Sequence, residues 1–255
     1  PAGFYYKTFM WPASMWKTYE HVIRNAAGLG KVADDHNDPD RYEKTNAHCD
    51  VLIAGGGVAG LMAALQAGRS GARVILADEQ NEFGGWLLGE SDTTIDSKAP
   101  ADWVAGVVAE LEAIPEVTLL PRTTVFGYMD HNYITLTERV TDHLGERPAH
   151  LPRQRMWKVR AGQTVLAQGA HERPLVFSGN DLPGVMLSGA VRSYITRYGV
   201  VPGNRTVVFT NNDDAYRTAL ALHSARAHVV VVDLRRDLKG ELVNAVRAAG
   251  IEVIS

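Results

Sequence analysis

Three glycines and one acid carry the strongest chemical signal in this chain. Asp50-Val51-Leu52-Ile53-Ala54 runs into Gly55-Gly56-Gly57-Val58-Ala59-Gly60, a helical stretch follows, and Gly71-Ala72-Arg73-Val74 leads to Asp78-Glu79. A GxGxxG pattern by itself is weak evidence. Here it leaves an apolar strand, opens a helix, and is followed by an acid at the end of the next strand, which makes a whole mononucleotide-binding βαβ unit. Gly55 permits the turn, Gly57 lets the backbone approach a pyrophosphate, and Gly60 lets the helix lie against the sheet. Ala59 and Gly60 open the helix, where unpaired N–H groups and the positive end of the dipole favour an anion.

Asp78 lies 18 positions after Gly60, close to the roughly 20-residue spacing at which a carboxylate accepts ribose hydroxyls. Asp78 and Glu79 together, with no cation in Gln80-Asn81-Glu82, favour FAD or NAD over a 2′-phosphorylated nucleotide. The Gly84-Gly85-Trp86 turn reads either as an ordinary loop or as a second close approach on the ribose or nicotinamide side.

The elements around this unit follow from periodicity. Trp103, Val104, Val107, Val108 and Leu111 predict an amphipathic crossover helix over 100–113, and Val117–Leu120 a short parallel strand. Thr123–Met129 and Tyr133–Glu138 flank Asp130-His131-Asn132 as a hairpin, with Met156–Arg160 as a third strand of a meander. Gly162–Ala170 reads as a separate apolar strand whose Gly169 forms a second wall of the nucleotide site. His171 and Glu172 have the types of an acid–base pair, but Arg173 neutralising Glu172 is the simpler expectation. From Val207 a second βαβ begins, with a helix over 215–224 and a strand over 228–232 that ends on Asp233. Its turn reads Thr210-Asn211-Asn212-Asp213-Asp214-Ala215, so side chains and two carboxylates stand where a pyrophosphate would lie.

Lys and Arg number 26 against 29 Asp and Glu, which offers no overall attraction to nucleic acid or anionic membrane. Cys49 is the only cysteine, excluding an internal disulfide, a CxxC redox centre and a thiolate zinc site within these 255 residues. Apolar runs stay short of a membrane span, and a cytoplasmic location is expected. The first 48 residues crowd Phe4, Tyr5, Tyr6, Phe9, Trp11, Trp16 and Tyr19 into an arm that packs either on another domain or subunit or on this chain's own nucleotide unit. The run Asp34-Asp35-His36-Asn37-Asp38 reads as a solvated linker rather than a metal site. Pro1 is not a natural start and 251–254 read as a strand without a tail, so the chain is expected to be a fragment.

The order of these parts resembles the α (large) subunit of bacterial heterotetrameric sarcosine oxidase. The likeness is most specific over Gly3–Trp16, Gly55–Trp86, Asp130–Leu144 and Gly169–Ser193, with weaker similarity to subunits of amino-acid and opine dehydrogenases and hydrogen cyanide synthase. The resemblance implies an α/β architecture of the FAD/NAD(P)-binding Rossmann-like, disulfide-reductase-like kind. It has two dinucleotide domains, a β-hairpin or meander insert and a truncated second half, divided as 1–48, 49–200 and 201–255.

It also implies NAD bound by this chain, with FAD and FMN elsewhere in a complex with β, γ and δ subunits. Before this region would come a β-grasp segment, and after it a tetrahydrofolate-binding domain. Residue by residue, the family's NAD contacts fall on Ala59, Asp78, Glu79, Gln80, Trp86 and Val125, beside the fingerprint's Gly55, Gly57 and Gly60 and the loop's Gly85. Gln80 stands where an Arg is often found, Trp86 where the family has a small polar residue, and Gln168 where a Thr is common. No catalytic residue is expected in this chain. The rival readings are a FAD-binding subunit of an amine, opine or amino-acid dehydrogenase, and a structural scaffold.

Overall fold

A computed structural model describes residues 11–28, 37–90 and 93–255. The chain forms two compact units, Pro1–Asp40 and Arg41–Ser255. In the first, a 3-10 turn at Ala13–Met15 leads into helix α1, Trp16–Ala26. The aromatics expected at positions 4–9 and the acids and histidine at 34–36 lie outside the described residues.

In the second unit β1 (Tyr42–Ala54), α2 (Val58–Arg69) and β2 (Val74–Ala77) form the nucleotide-type βαβ. Helix α3 (Pro100–Glu112) starts on a proline, whose fixed φ suits the first helical position, and leads to β3 (Val117–Leu120). The insert is β4 (Thr123–Met129), β5 (Tyr133–Arg139) and β6 (Gln154–Leu166). Then come α4 (Ser188–Tyr198), β7 (Arg205–Thr210), α5 (Asp214–Ser224), β8 (His228–Asp233), α6 (Glu241–Ala248) and β9 (Glu252–Ile254). The larger sheet has the order β3-β2-β1-β6-β5-β4, parallel as far as β6 and antiparallel beyond it; the smaller is parallel, β7-β8-β9.

Strand alternation divides the core. Ile53 and Leu76 point to the face where α2 and α3 bring Leu61, Leu65, Trp103 and Leu111. Their neighbours Leu52, Ala54, Ile75 and Ala77 point to the opposite face, where the meander supplies Ile134, Leu136 and Val159. Burial on both sides explains why β1 and β2 read as continuous apolar runs rather than alternating ones. The hairpin turn forms where predicted. His131 and Asn132 both have positive φ, which matches the right-handed twist of the strands, and Asn132 Nδ2 donates to the Gly162 carbonyl at 3.0 Å.

Two expectations are corrected. The strands read separately at 156–160 and 162–170 are one strand, β6, which ends at Leu166. Its first half pairs with both β1 and β5, and its second half continues alongside β1 alone. Gly162 marks the change, because a Cβ there would sit 2.9 Å from the Asp50 carbonyl oxygen. Strand β1 starts at Tyr42, eight residues before the apolar run. Its first half has no long apolar stretch and is held by distant partners: Arg155 binds Glu43 and Glu138, each at 3.0 Å, and Trp157 Nε1 donates to Glu138 at 2.8 Å.

Cys49 is buried on this sheet, and burial first, then the neighbouring Asp50 charge, push its thiol up to about 11. Since the thiolate is the reactive form, native protein is expected to leave a thiol reagent such as Ellman's unreacted at pH 8, and to titrate one thiol in denaturant. Fast reaction of the native protein at pH 8 would contradict this placement.

Candidate dinucleotide site

The carboxyl ends of β1 and β2 and the start of α2 bring Gly55, Gly57, Ala59, Gly60 and Asp78 together. Gly55 has φ +104°, donates its N–H to the Ala77 carbonyl at 2.8 Å, and lies so near the Ala167 carbonyl that a Cβ would strike it. Gly60 packs directly on the Gly55 carbonyl, leaving no room for a methyl group. Gly56 is pressed on the Phe83 ring. These three glycines are demanded by the chain's own packing.

Gly57 is different. Its φ of −73° suits any residue, and a Cβ built there meets nothing within 4 Å. It is the N-cap of α2, yet no side chain caps that helix. The first-turn N–H groups thus face an open space that the protein itself keeps clear, a cradle that a side chain on Gly57 would fill. The donors and dimensions suit an anionic group at a helix start.

Asp78 closes the other side. Its Oδ2 accepts from the Gly56 N–H and its Oδ1 from the Gln80 N–H at 2.8 Å, so it anchors the glycine loop as well as ending the strand. Each oxygen retains a further lone pair for a hydroxyl donor. Backbone bonds fix Asp78 itself: its N–H donates to Leu120 at 3.1 Å, and its carbonyl accepts from Thr123 at 2.7 Å. Glu79 and Gln80 are exposed beside it. Arg139 Nη2 donates to the Glu79 carbonyl at 3.0 Å, and the Arg122 N–H to the Gln80 carbonyl at 2.7 Å. Two arginines therefore stand near the acidic strand end, which local sequence did not reveal. Val125 is half-buried in β4 and packs on the meander-side core, two residues from the Thr123 that holds Asp78.

Gly84 and Gly85 bring a second loop onto the first. Gly84 donates to the Gly56 carbonyl at 2.8 Å, and a Cβ on Gly85 would lie 3.1 Å from Gly57 Cα. The next residue, Trp86, reaches across to α4, where its ring lies against Gly189, and the buried Arg192 guanidinium sits 5.6 Å from the ring centroid. Arg192 also pairs with Glu90 at 3.5 Å and Asp214 at 3.2 Å, tying this loop to the start of α5. Sequence reasoning left α4 unassigned, although Val191 and Ile195 at helical spacing and Gly199 as a left-handed C-cap were available signals. Glu172 turns out to serve this helix. Its two oxygens accept from the Ser188 and Gly189 N–H groups at 3.0 and 2.7 Å, an N-terminal cap in place of an acid–base pair.

The corresponding place in the second βαβ is filled from within. Arg235 binds Asp213 at 2.7 Å and Asp233 at 2.8 Å, and the buried Tyr216 hydroxyl donates to Asp233 at 2.9 Å. Burial, then the bond to Asp233, push the Tyr216 hydroxyl up to about 12. The acid that ends β8 and the start of α5, the two features that would clasp a nucleotide, are bridged to each other. The eroded turn was readable in sequence, whereas the Arg235 bridge was not. Among the described residues no group of three or more His, Cys, Asp or Glu could hold a metal ion, and no helix is long and apolar enough to cross a membrane.

Residues 50–133 match the family described as FAD dependent oxidoreductase. Among solved structures the fold is similar to L-proline dehydrogenase from P. horikoshii, with a TM-score of 0.61, 23% identity, and coverage of 82% of this chain and 40% of that one. It is also similar to thioredoxin reductase from Lactococcus lactis, with a TM-score of 0.58, 20% identity, and coverage of 81% and 64%. The chain thus has the Rossmann-like, nucleotide-binding α/β fold of the FAD-dependent oxidoreductases, in the disulfide-reductase-like arrangement.

At higher identity the likeness narrows. The chain is 56% identical over 237 residues to the alpha subunit of sarcosine oxidase from Rhizobium meliloti (strain 1021), covering 92% of this chain and 24% of that protein. It is 48% identical over 229 residues to the same subunit from Corynebacterium sp. (strain P-1), covering 89% and 24%. An opine oxidase subunit from Agrobacterium tumefaciens (strain Ach5) is 31% identical over 163 residues, covering 62% and 31%. The chain belongs to the family of sarcosine oxidase α subunits, and spans about a quarter of the length of the relatives it matches.

Proposed function

We propose that this chain is the NAD-binding segment of a sarcosine oxidase α subunit. In this reading Gly55, Gly57, Ala59 and Gly60 hold the pyrophosphate on backbone N–H groups, and Asp78 accepts ribose hydroxyls through its remaining lone pairs. Glu79, Gln80 and Val125 border the adenosine, while Gly85 and Trp86 face the nicotinamide side. The chain's own work is to bind and orient a nucleotide and to present a surface to β, γ and δ subunits; it contributes no catalytic residue. FAD and FMN in the complete cytoplasmic complex would supply the redox chemistry that demethylates sarcosine to glycine. Tetrahydrofolate would take the one-carbon unit as 5,10-methylenetetrahydrofolate, and O2 would leave as H2O2.

One observation carries the nucleotide reading: Gly57 is a glycine for which the protein's own packing has no use, set at the uncapped start of α2. The family assignment carries the rest, through relatives named as sarcosine oxidase α subunits. A second reading places FAD in the same loop, as in a subunit of a related amine, opine or amino-acid dehydrogenase. It is favoured by the match of 50–133 to the FAD dependent oxidoreductase family.

Denaturing the purified protein and identifying the released nucleotide by absorbance and mass separates the two. NAD without flavin is the expected result. Release of FAD would transfer the proposal to the second reading, and failure to bind either on titration would leave only a scaffold.

A further inference from the structure

We infer that the second, eroded half of the chain takes part in the dinucleotide site: it carries the strap that holds the glycine loop, with Arg192 as the positioning residue. The inference rests on the reading that this loop binds a dinucleotide, and it gives a role to a half whose own turn is closed.

The strap is the segment from Glu82 to Glu90. Its middle lies on the glycine loop. The Phe83 ring presses on Gly56, the Gly84 N–H donates to the Gly56 carbonyl at 2.8 Å, and a Cβ on Gly85 would stand 3.1 Å from Gly57 Cα. Both ends of the strap are tied to α4: Arg197 Nη2 lies 3.0 Å from Glu82, and Arg192 Nη2 lies 3.5 Å from Glu90. Between these ties Trp86 packs on Gly189, and a Cβ on Gly89 would lie 3.2 Å from the Thr196 hydroxyl, so the strap runs along the helix.

Helix α4 in turn belongs to the second half. Val191 is buried in the same core as Tyr216, Val231 and Val243, and the Ser188 hydroxyl donates to Thr218 on α5 at 2.8 Å. Arg192 joins strap and second half directly. Its side chain is only 9% exposed, and it reaches Glu90 on the strap and, 3.2 Å away, Asp214 in the first turn of α5. A buried ion pair adds little net stability over apolar side chains of the same volume, whereas its directional bonds define one arrangement. The arrangement defined here is that of the strap, and through the strap that of Gly56 and Gly57. Asp78 accepts from the Gly56 N–H on one side while the strap donates to the Gly56 carbonyl on the other. A loop fixed in this way before its ligand arrives loses less entropy on binding.

The test separates position from stability. Nucleotide-free protein is titrated with NAD as the parent, Arg192→Met, Glu90→Gln and Val246→Ala, and urea unfolding is followed for each. Val246→Ala opens a cavity in the second half's core on α6, a helix that does not carry the strap. Arg192→Met is expected to weaken NAD about tenfold, the cost of ordering roughly one further backbone residue on binding. Glu90→Gln should act in the same direction, and the double variant should be no weaker than Arg192→Met alone, because both break one link. Val246→Ala should lose stability and keep its affinity. In the parent, NAD should also slow amide hydrogen exchange in α4 and the first turn of α5; in Arg192→Met that protection should be confined to the glycine loop and residues 83–85. Unchanged affinity in folded Arg192→Met, equal weakening in Val246→Ala, or NAD that leaves exchange in α4 and α5 of the parent unaltered would each overturn the inference while leaving the glycine-loop site intact. If Arg192→Met does not fold, Glu90→Gln and the exchange of the parent decide the question in the same way. Failure of the parent to bind NAD would overturn the NAD reading and the role of the strap with it.

Discussion

Gly57→Asp should fold as stably as the parent chain and lose dinucleotide affinity by roughly a hundredfold or more. Both halves of this expectation follow from one position. The backbone there is compatible with any residue and the added side chain enters open space. Asp is also among the best N-cap residues, with a carboxylate favourable to the helix dipole. The same carboxylate would occupy the path of a pyrophosphate and repel it across a few ångströms, an effect of about 3 kcal/mol or more at an intermediate dielectric.

Gly60→Ala provides the contrast. Its methyl would collide with the Gly55 carbonyl, and the expected result is a loss of about 3 kcal/mol in stability through forced separation of helix and strand. Urea unfolding and nucleotide titration of the two variants measure both quantities. A Gly57→Asp protein that binds NAD as tightly as the parent would show that the pyrophosphate does not lie at Gly57, and a Gly60→Ala protein of parental stability would refute the packing argument.

Arg235→Ala is the second substitution expected to act strongly, and it acts on the half of the molecule that does not resemble a working nucleotide site. Asp233 has a fully buried side chain, and Arg235 is its charged partner, itself one-third exposed. Removing the guanidinium leaves a buried carboxylate with only Tyr216 and backbone for company, at an expected cost of about 3 kcal/mol at pH 7.

The pH dependence gives a sharper test. In the parent, burial pushes the Asp233 carboxyl up, but the hydrogen bonds from Arg235 and then Tyr216 outweigh it and hold the group below its ordinary 3.8. A lowered carboxyl stabilises the fold above its unfolded value, and that contribution is lost as pH falls through the folded one, so it does not vary between pH 5 and 7. In the variant burial is opposed far less, and the folded value should rise above the unfolded one. Its contribution is then present at low pH and lost as pH rises through the raised value. The deficit of the variant relative to the parent should therefore shrink from pH 7 to pH 5. A deficit that is constant or grows on acidification would show that Arg235 is not the group that keeps Asp233 charged.

The same contrast between local and distant partners separates what could be read in advance from what could not. Helix α3, strand β3 and the 123–139 hairpin emerged from spacing, because an amphipathic helix or a three-residue hairpin turn is decided by residues within one or two turns of each other. The beginning of β1 did not. Tyr42–His48 have no apolar run, and become a strand only because β6, more than a hundred residues later, supplies the pairing edge and the Arg155 bridge. Glu172 shows this at a functional scale. A glutamate beside a histidine invites an acid–base reading until α4 presents two N–H groups to it.

By itself the sequence determined the strand–glycine–helix–acid order, the erosion of the second turn, the absence of a cysteine pair and the family. These are properties of backbone sterics and residue identity over short spans. Tertiary structure alone showed what holds Gly55 and Gly56, the Ala167 carbonyl and the Phe83 ring, and that Gly57 is left in open space. It likewise decided that Arg235 plugs the second half, and that Trp86 meets Gly189 at the rim of a cleft. Such contacts join residues that are close in space and often far apart in the chain. Their geometry is set by how sheets and helices pack, a constraint that no local pattern of residue types contains.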